Sequence, residues 1–224
     1  MLSRETREGI TLEPIVGAPF GARVSGVDPV ALTSAQKAVL LSAYADAHGL
    51  LCFGFDELLT AEQLHALTAV FGENEFAPGR INGIGRRARE GEPELTVDEQ
   101  VAKLRNKGVD PYLAFIGNLD PKTLERQPIS EKFFGEWEWH TDMSYIPVPP
   151  TFSLLHARII PEDGGDTGFC NQVLAAKALP DDLRSRIVGR SIKHDSTYGS
   201  SGILRPGMTV PESPVEALGA VHPI

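Results

Sequence analysis

Three prolines, Pro147, Pro149 and Pro150, stand between two β-prone runs, and this punctuation constrains how the middle of the chain can fold. Proline fixes φ and has no amide hydrogen to donate, so the cluster forces an extended turn. The flanking runs, residues 137–145 and Thr151 to Ile160, then read as strands, the second of them a core strand. Within the first run, period-2 alternation places His140 and Asp142 on one face and Trp139 and Thr141 on the other. An imidazole and a carboxylate converging on one point are two-thirds of a 2-His-1-carboxylate facial triad, which leaves three positions of Fe(II) open for a chelating cosubstrate and O2. His-x-Asp also describes an ordinary hydrogen-bonded pair on a strand, and the motif alone favours that plainer reading.

The rest of the chain supplies context. Residues 10–32 contain short β-like runs, Ile10 to Ile15 and Ala22 to Val24, broken by glycines in a hairpin-like opening. A helix follows, capped by Thr33 or Ser34, with Val39, Leu40, Ala43, Tyr44 and Ala47 on its apolar face and Gly49 as its C′ stop. Leu50 to Phe53 reads as a buried strand. A second helix starts at Thr60, where Gln63 completes a capping box, and ends at Gly72. Residues 73–111 are expected to be a lid or insertion loop, with an arginine cluster followed by an acidic run from Glu90 to Glu99. A strand over Tyr112 to Leu119, another over Thr167 to Cys170, helices over Val173 to Leu179 and Asp181 to Val188, and strands at Ser191 to His194 and from Ala220 onward complete the pattern.

At 224 residues and 42% hydrophobic, the chain can bury a core, and one domain over residues 1–224 is expected. A formal charge of −9 and a pI near 5.2 argue against a nucleic-acid or anionic-membrane binder. Cys52 and Cys170 are far apart and in no metal-type spacing, so they read as reduced, buried thiols of a cytoplasmic protein. No apolar run is long enough to span a membrane, and the charged N-terminus is unlike a secretion signal.

Several blocks now resemble one family. Gly21-Ala22-Arg23-Val24-Ser25-Gly26-Val27-Asp28, His48 to Phe53, Leu58 to Gln63, Trp139-His140-Thr141-Asp142, Gly164 to Cys170, and Ala178 to Leu183 are similar, in order and spacing, to the taurine and 2,4-dichlorophenoxyacetate dioxygenase family of Fe(II)/2-oxoglutarate-dependent oxygenases. That resemblance implies a mixed α+β, mainly β chain: a double-stranded β-helix, or jelly roll, with flanking helices. It makes His140 and Asp142 metal ligands, and Thr167 a hydroxyl donor to a carboxylate of 2-oxoglutarate. The expected reaction hydroxylates a small, anionic organic substrate with O2 and releases succinate and CO2. The expected partners are that substrate and O2, without nucleic acid or membrane; a homo-oligomer is compatible with the sequence.

One departure matters. The family's distal His ligand and the Arg that pairs with 2-oxoglutarate lie beyond an Asp-Asn-Arg segment that this sequence does not contain. His222 resembles a strand histidine preceding that ligand, so neither it nor His156 nor His194 is assigned as the third ligand. The chain is therefore expected to be the N-terminal portion of a longer enzyme, incomplete at the C-terminus and slow in 2-oxoglutarate turnover. A catalytically inactive jelly-roll ligand-binding or interaction protein is the alternative; a zinc hydrolase is disfavoured by the absence of zincin spacing. Asn118 could reach the cosubstrate, though a turn before Asp120-Pro121 explains it equally. Arg86 and Arg87 could meet an anionic substrate, against the plainer reading of a solvated basic loop, and Trp137 and Trp139 could line the pocket or pack in the core. His48 and His65 read as structural, and Gly83-Ile84-Gly85 lacks the strand-to-helix context of a dinucleotide site.

Overall fold

A computed structural model of the chain describes residues 3–77, 80–81, 93–117, 125, 139–198, 203–204, 208–213 and 219–224. These fall into two compact units, Met1–Asn74 with Leu154–Leu179, and Glu75–Ser153 with Pro180–Ile224.

The first unit opens with a hairpin of β1 (Glu5–Arg7) and β2 (Ile10–Pro14), joined at Glu8 and Gly9. Both linking residues have positive φ, 50° and 79°, as a two-residue hairpin turn matching the strands' right-handed twist requires. Strand β3 (Ala22–Ser25) pairs antiparallel with β2, and β4 (Leu51–Phe53) pairs parallel with β3, giving the order β1-β2-β3-β4. A parallel neighbour needs a crossover, and α1 (Ser34–Asp46) provides it. Alternation puts Ile10, Leu12, Ala22 and Val24 inward, where Ile10, Leu12 and Val24 join Leu40 and Ala43 of α1 and Leu67 of α2 (Ala61–Thr68) in one apolar cluster. The same alternation turns Cys52 outward between Leu51 and Phe53; Cys52 and Cys170 are both exposed, which corrects the expectation of buried thiols.

The expected capping box of Thr60 with Gln63 forms, and Thr33 rather than Ser34 caps α1, in a further box with Gln36. The stop of α1 differs by one residue from the glycine expectation. His48 takes the left-handed position (φ 54°), and Gly49 follows it, its amide donating to the Tyr44 carbonyl at 2.9 Å to close the last turn. His156 is half-buried, and its Nε2 accepts from the Leu59 amide at 3.4 Å, in keeping with a structural histidine. Helix α4 (Gln172–Lys177) completes this unit, capped by Asn171.

In the second unit, the expected loop 73–111 contains α3 (Val97–Asn106), opened by a third capping box between Thr96 and Glu99. The acidic run had masked that Thr-x-x-Glu signal. The ends of this segment close on each other: Phe76 stacks on Tyr112 with centroids 5.1 Å apart, and the Ala77 amide donates to the Pro111 carbonyl at 2.9 Å. Helix α5 (Asp181–Ile187) leads into β5 (Ser191–Asp195), which pairs antiparallel with β6 (Gly219–Pro223).

Four expected strands are not strands over their described residues. Residues 112–117, 139–145, 151–160 and 167–170 form no ladder among the described residues. Thr151 to His156 still alternates exposed and half-buried, so the sequence carries the strand period although no ladder forms there among the described residues. The described residues are mixed α/β, with more helix than strand, and show a four-stranded and a two-stranded sheet rather than the two facing sheets of a jelly roll.

Gly26 has φ 78°, and a Cβ there would lie 2.5 Å from the Gly9 carbonyl oxygen. The Gly26→Ala substitution is expected to cost about 1–3 kcal/mol in urea unfolding, from backbone strain together with the clash. The Glu99 carboxyl titrates below the ordinary glutamate value, first because the Thr96 amide donates to it and then because the Thr96 hydroxyl does. A folded-state value below the unfolded one stabilises α3 above the unfolded value, and that contribution is lost as pH falls through the folded one. An NMR titration should place Glu99 below the ordinary value, and Thr96→Ala should move it part of the way back.

Candidate functional site

The residues that carry the expected chemistry sit in a turn rather than on a strand. After Trp139 and His140, the backbone bends through Thr141 to Tyr145, the Ser144 amide donating to the Thr141 carbonyl at 3.4 Å and the Ile146 amide to the Met143 carbonyl at 3.0 Å. Met143 holds φ at 52°, a left-handed conformation unusual for a residue with a side chain, and is 7% exposed. Burial of its side chain beneath the turn opposes that backbone cost.

The turn brings His140 Nε2 within 3.5 Å of Asp142 Oδ1, with the two side chains 40% and 60% exposed. Period-2 alternation predicts this convergence, but the bend produces it. The other carboxylate oxygen, Oδ2, accepts from the Ser153 hydroxyl at 2.9 Å. His222, on β6, donates from Nε2 to the Ser144 carbonyl at 2.8 Å, which places the ring proton on that nitrogen. Its ring meets His194 of β5 edge to face, centroids 5.6 Å apart, because the two are diagonal neighbours on one face of the ladder.

A shared metal ion would draw the two donors slightly closer: atoms each ~2.1 Å from one ion lie about 3.0 to 3.4 Å apart at angles between square and tetrahedral, just under the 3.5 Å found here. A neutral imidazole beside a hard carboxylate oxygen suits a divalent first-row ion. Among the described residues, no group of three or more His, Cys, Asp and Glu side chains is arranged to hold a metal. Trp139 is 68% exposed, which removes core packing as its explanation. Thr167 is exposed and belongs to the first unit, following a turn in which Gly164 and Gly165 have positive φ. Asn118, Trp137, Arg86 and Arg87 lie outside the described residues. A cleft of about 270 Å³ in the first unit is lined in part by Asp28, Asp56 and Glu57, the wrong charge for a dicarboxylate. Ser153 and His222 are the contacts that sequence reading does not assign. The signal for Ser153 is its place on the exposed face of an alternating run; for His222 it is a strand partner, visible only once β5 and β6 are paired.

The likeness to known proteins can be set beside this geometry. The model of the taurine catabolism dioxygenase TauD, TfdA family matches residues 11–218, and the chain belongs to that family. The resemblance read from Trp139 to Asp142 and its companion blocks is thereby borne out. An (S)-phenoxypropionate/alpha-ketoglutarate-dioxygenase of Sphingobium herbicidovorans is 28% identical over 184 residues, 82% of this chain and 53% of that protein. The protein of the same name from Delftia acidovorans is 25% identical over 217 residues, 92% of this chain and 65% of its own length. An alpha-ketoglutarate-dependent 2,4-dichlorophenoxyacetate dioxygenase of Cupriavidus pinatubonensis is 33% identical over 125 residues, 46% of this chain and 42% of that protein. The crystal structure of AAD-2 in complex with Mn(II) and N-oxalylglycine shares the fold at a TM-score of 0.58 and 24% identity, over 95% of this chain and 64% of AAD-2. The chain spans about half to two-thirds of the length of the first two curated relatives. No helix among the described residues is long and apolar enough to cross a membrane.

The His222 contact makes a local prediction. Replacing His222 by Phe keeps a ring against His194 but removes the donor to Ser144, at an expected cost of about 0.5–1.5 kcal/mol in urea unfolding. Amide exchange at Ile146, inside the turn, should quicken in the same variant; unchanged exchange there would show that the turn does not depend on the imidazole.

Proposed function

We propose that this protein is an Fe(II)- and 2-oxoglutarate-dependent dioxygenase acting on a small organic anion, and that His140 and Asp142 supply two of its metal ligands. The observation that carries the reading is the 3.5 Å approach of His140 Nε2 and Asp142 Oδ1 in a chain of the TauD, TfdA family. The family match crosses both compact units, which supports treating residues 1–224 as one dioxygenase domain, the portion of a jelly roll that this sequence covers, with 73–111 as an insertion within it. The relatives named for phenoxypropionate and 2,4-dichlorophenoxyacetate favour an aryloxyalkanoate, a carboxylate-bearing substrate.

O2 would be the oxidant, activated by the metal and by 2-oxoglutarate, which would leave as succinate and CO2. The chain's own residues have simpler tasks. His140 offers a neutral nitrogen, and Asp142 offers one anionic oxygen that offsets the ion's charge. Thr167 would donate its hydroxyl to a 2-oxoglutarate carboxylate, Asn118 would take a supporting contact, and Trp137, Arg86 and Arg87 would face the substrate. A further His ligand and an Arg for the far carboxylate are not assigned among the 224 residues.

Equilibrium dialysis with Mn(II) and 2-oxoglutarate, followed by succinate detection with Fe(II) and aryloxyalkanoates, tests the proposal. Mn(II)-dependent retention of 2-oxoglutarate is expected to be weak, with slow but substrate-stimulated succinate release, because two ligands and no assigned Arg hold the pair less firmly than a complete site. His140→Ala and Asp142→Ala should each lower both by roughly 100-fold or more, since losing a charged or strongly donating partner costs several kcal/mol. Metal binding with no succinate release under any substrate would favour the binding-protein alternative, and retention unaffected by either substitution would overturn the metal assignment.

A further inference from the structure

We infer that Ser153 is a positioning residue for Asp142, holding the carboxylate so that a single oxygen, Oδ1, is presented beside His140. The inference rests on the metal reading of the His140 and Asp142 pair and extends it to a residue outside that pair.

A carboxylate has two equivalent oxygens and can rotate to offer either, or both, to an ion. Asp142 is on an exposed turn, its side chain 60% exposed, so burial does not choose between those orientations. The choice is made by hydrogen bonding. The Ser153 hydroxyl donates to Oδ2 at 2.9 Å, and Oδ1 is then the oxygen 3.5 Å from His140 Nε2. The carboxylate plane is thus fixed from one side, and its free oxygen faces the imidazole.

Ser153 is suited to this by its own placement. It is exposed between half-buried Phe152 and Leu154, in the run that keeps β-like alternation. The alternation that half-buries these neighbours sends the serine side chain outward. The three prolines between Asp142 and Ser153 narrow the paths by which the chain can return, so the hydroxyl arrives at Asp142 from a stiff connection. An outer hydrogen bond of this sort orients a ligand before the ion arrives, and the loss of such partners typically lowers metal affinity by about 10- to 100-fold.

The test is Mn(II) affinity of the full 224-residue chain, read from the EPR signal of free Mn(II), for the unsubstituted protein, Ser153→Ala, Ser153→Thr and His140→Ala. Because Asp142 is solvent-exposed, Ser153→Ala is expected to fall below that range or just reach its lower edge, a weakening of about threefold to tenfold. Ser153→Thr, which keeps the hydroxyl, should return affinity to within about twofold of the unsubstituted chain on the same reasoning. His140→Ala should weaken binding more than either. If Ser153→Ala binds like the unsubstituted chain while His140→Ala is weakened, the positioning role is overturned and the metal reading survives. If alanine and threonine weaken binding equally, the serine acts through packing and the inference is likewise overturned. If the unsubstituted chain binds no Mn(II), or binds it no better than His140→Ala does, the metal reading fails and takes the inference with it.

Discussion

Two donor atoms held 3.5 Å apart on an exposed turn set the terms for everything around them. Solvent competes for both, and no strand ladder fixes the backbone between them. The restraint comes instead from the turn's surroundings: a buried Met143 that keeps its backbone left-handed, a histidine donor on the Ser144 carbonyl, and a serine donor on the far oxygen of Asp142. None of these groups would bind an ion. Each removes a freedom that the two donors would otherwise lose on binding, and preorganisation of that sort lowers the entropic cost of assembling a site.

What could be read from the sequence was what is decided locally. The cap at Thr33 and the capping box at Thr60 form as expected because a cap needs only residues three positions apart. The strands around Ile10, Ala22, Leu51, Ser191 and Ala220 were legible because alternation or a short apolar run marks them, and each found a partner within the described residues. His140 and Asp142 were legible as a pair for a looser reason. Residues two apart are brought together by a strand's pleat or by a suitably bent turn, so the pairing survived although the element did not.

The remainder depended on partners that no short window reveals. Thr151 to His156 has the period of a strand, yet a period describes one face and says nothing about where the next backbone lies. Helix α3 was hidden for the opposite reason: its Thr96 and Glu99 signal sat inside an acidic run that reads as solvated loop. The misjudged thiols show a third limit. Cys52 sits in an apolar run, but a strand whose flanking residues face the core must turn its middle residue away, and hydrophobicity alone does not say which residues are inward.

The β5 and β6 pair has a consequence for how the chain finds its register. Gly219 approaches the His194 carbonyl so closely that no side chain could stand there. Slipping β6 by one residue would bring Ala220, with its methyl group, to that point, and would turn His222 to the opposite face, away from Ser144. The missing side chain at position 219 therefore acts as a key for alignment. It admits one pairing of the two strands, and that pairing is the one that delivers an imidazole to the turn carrying Asp142.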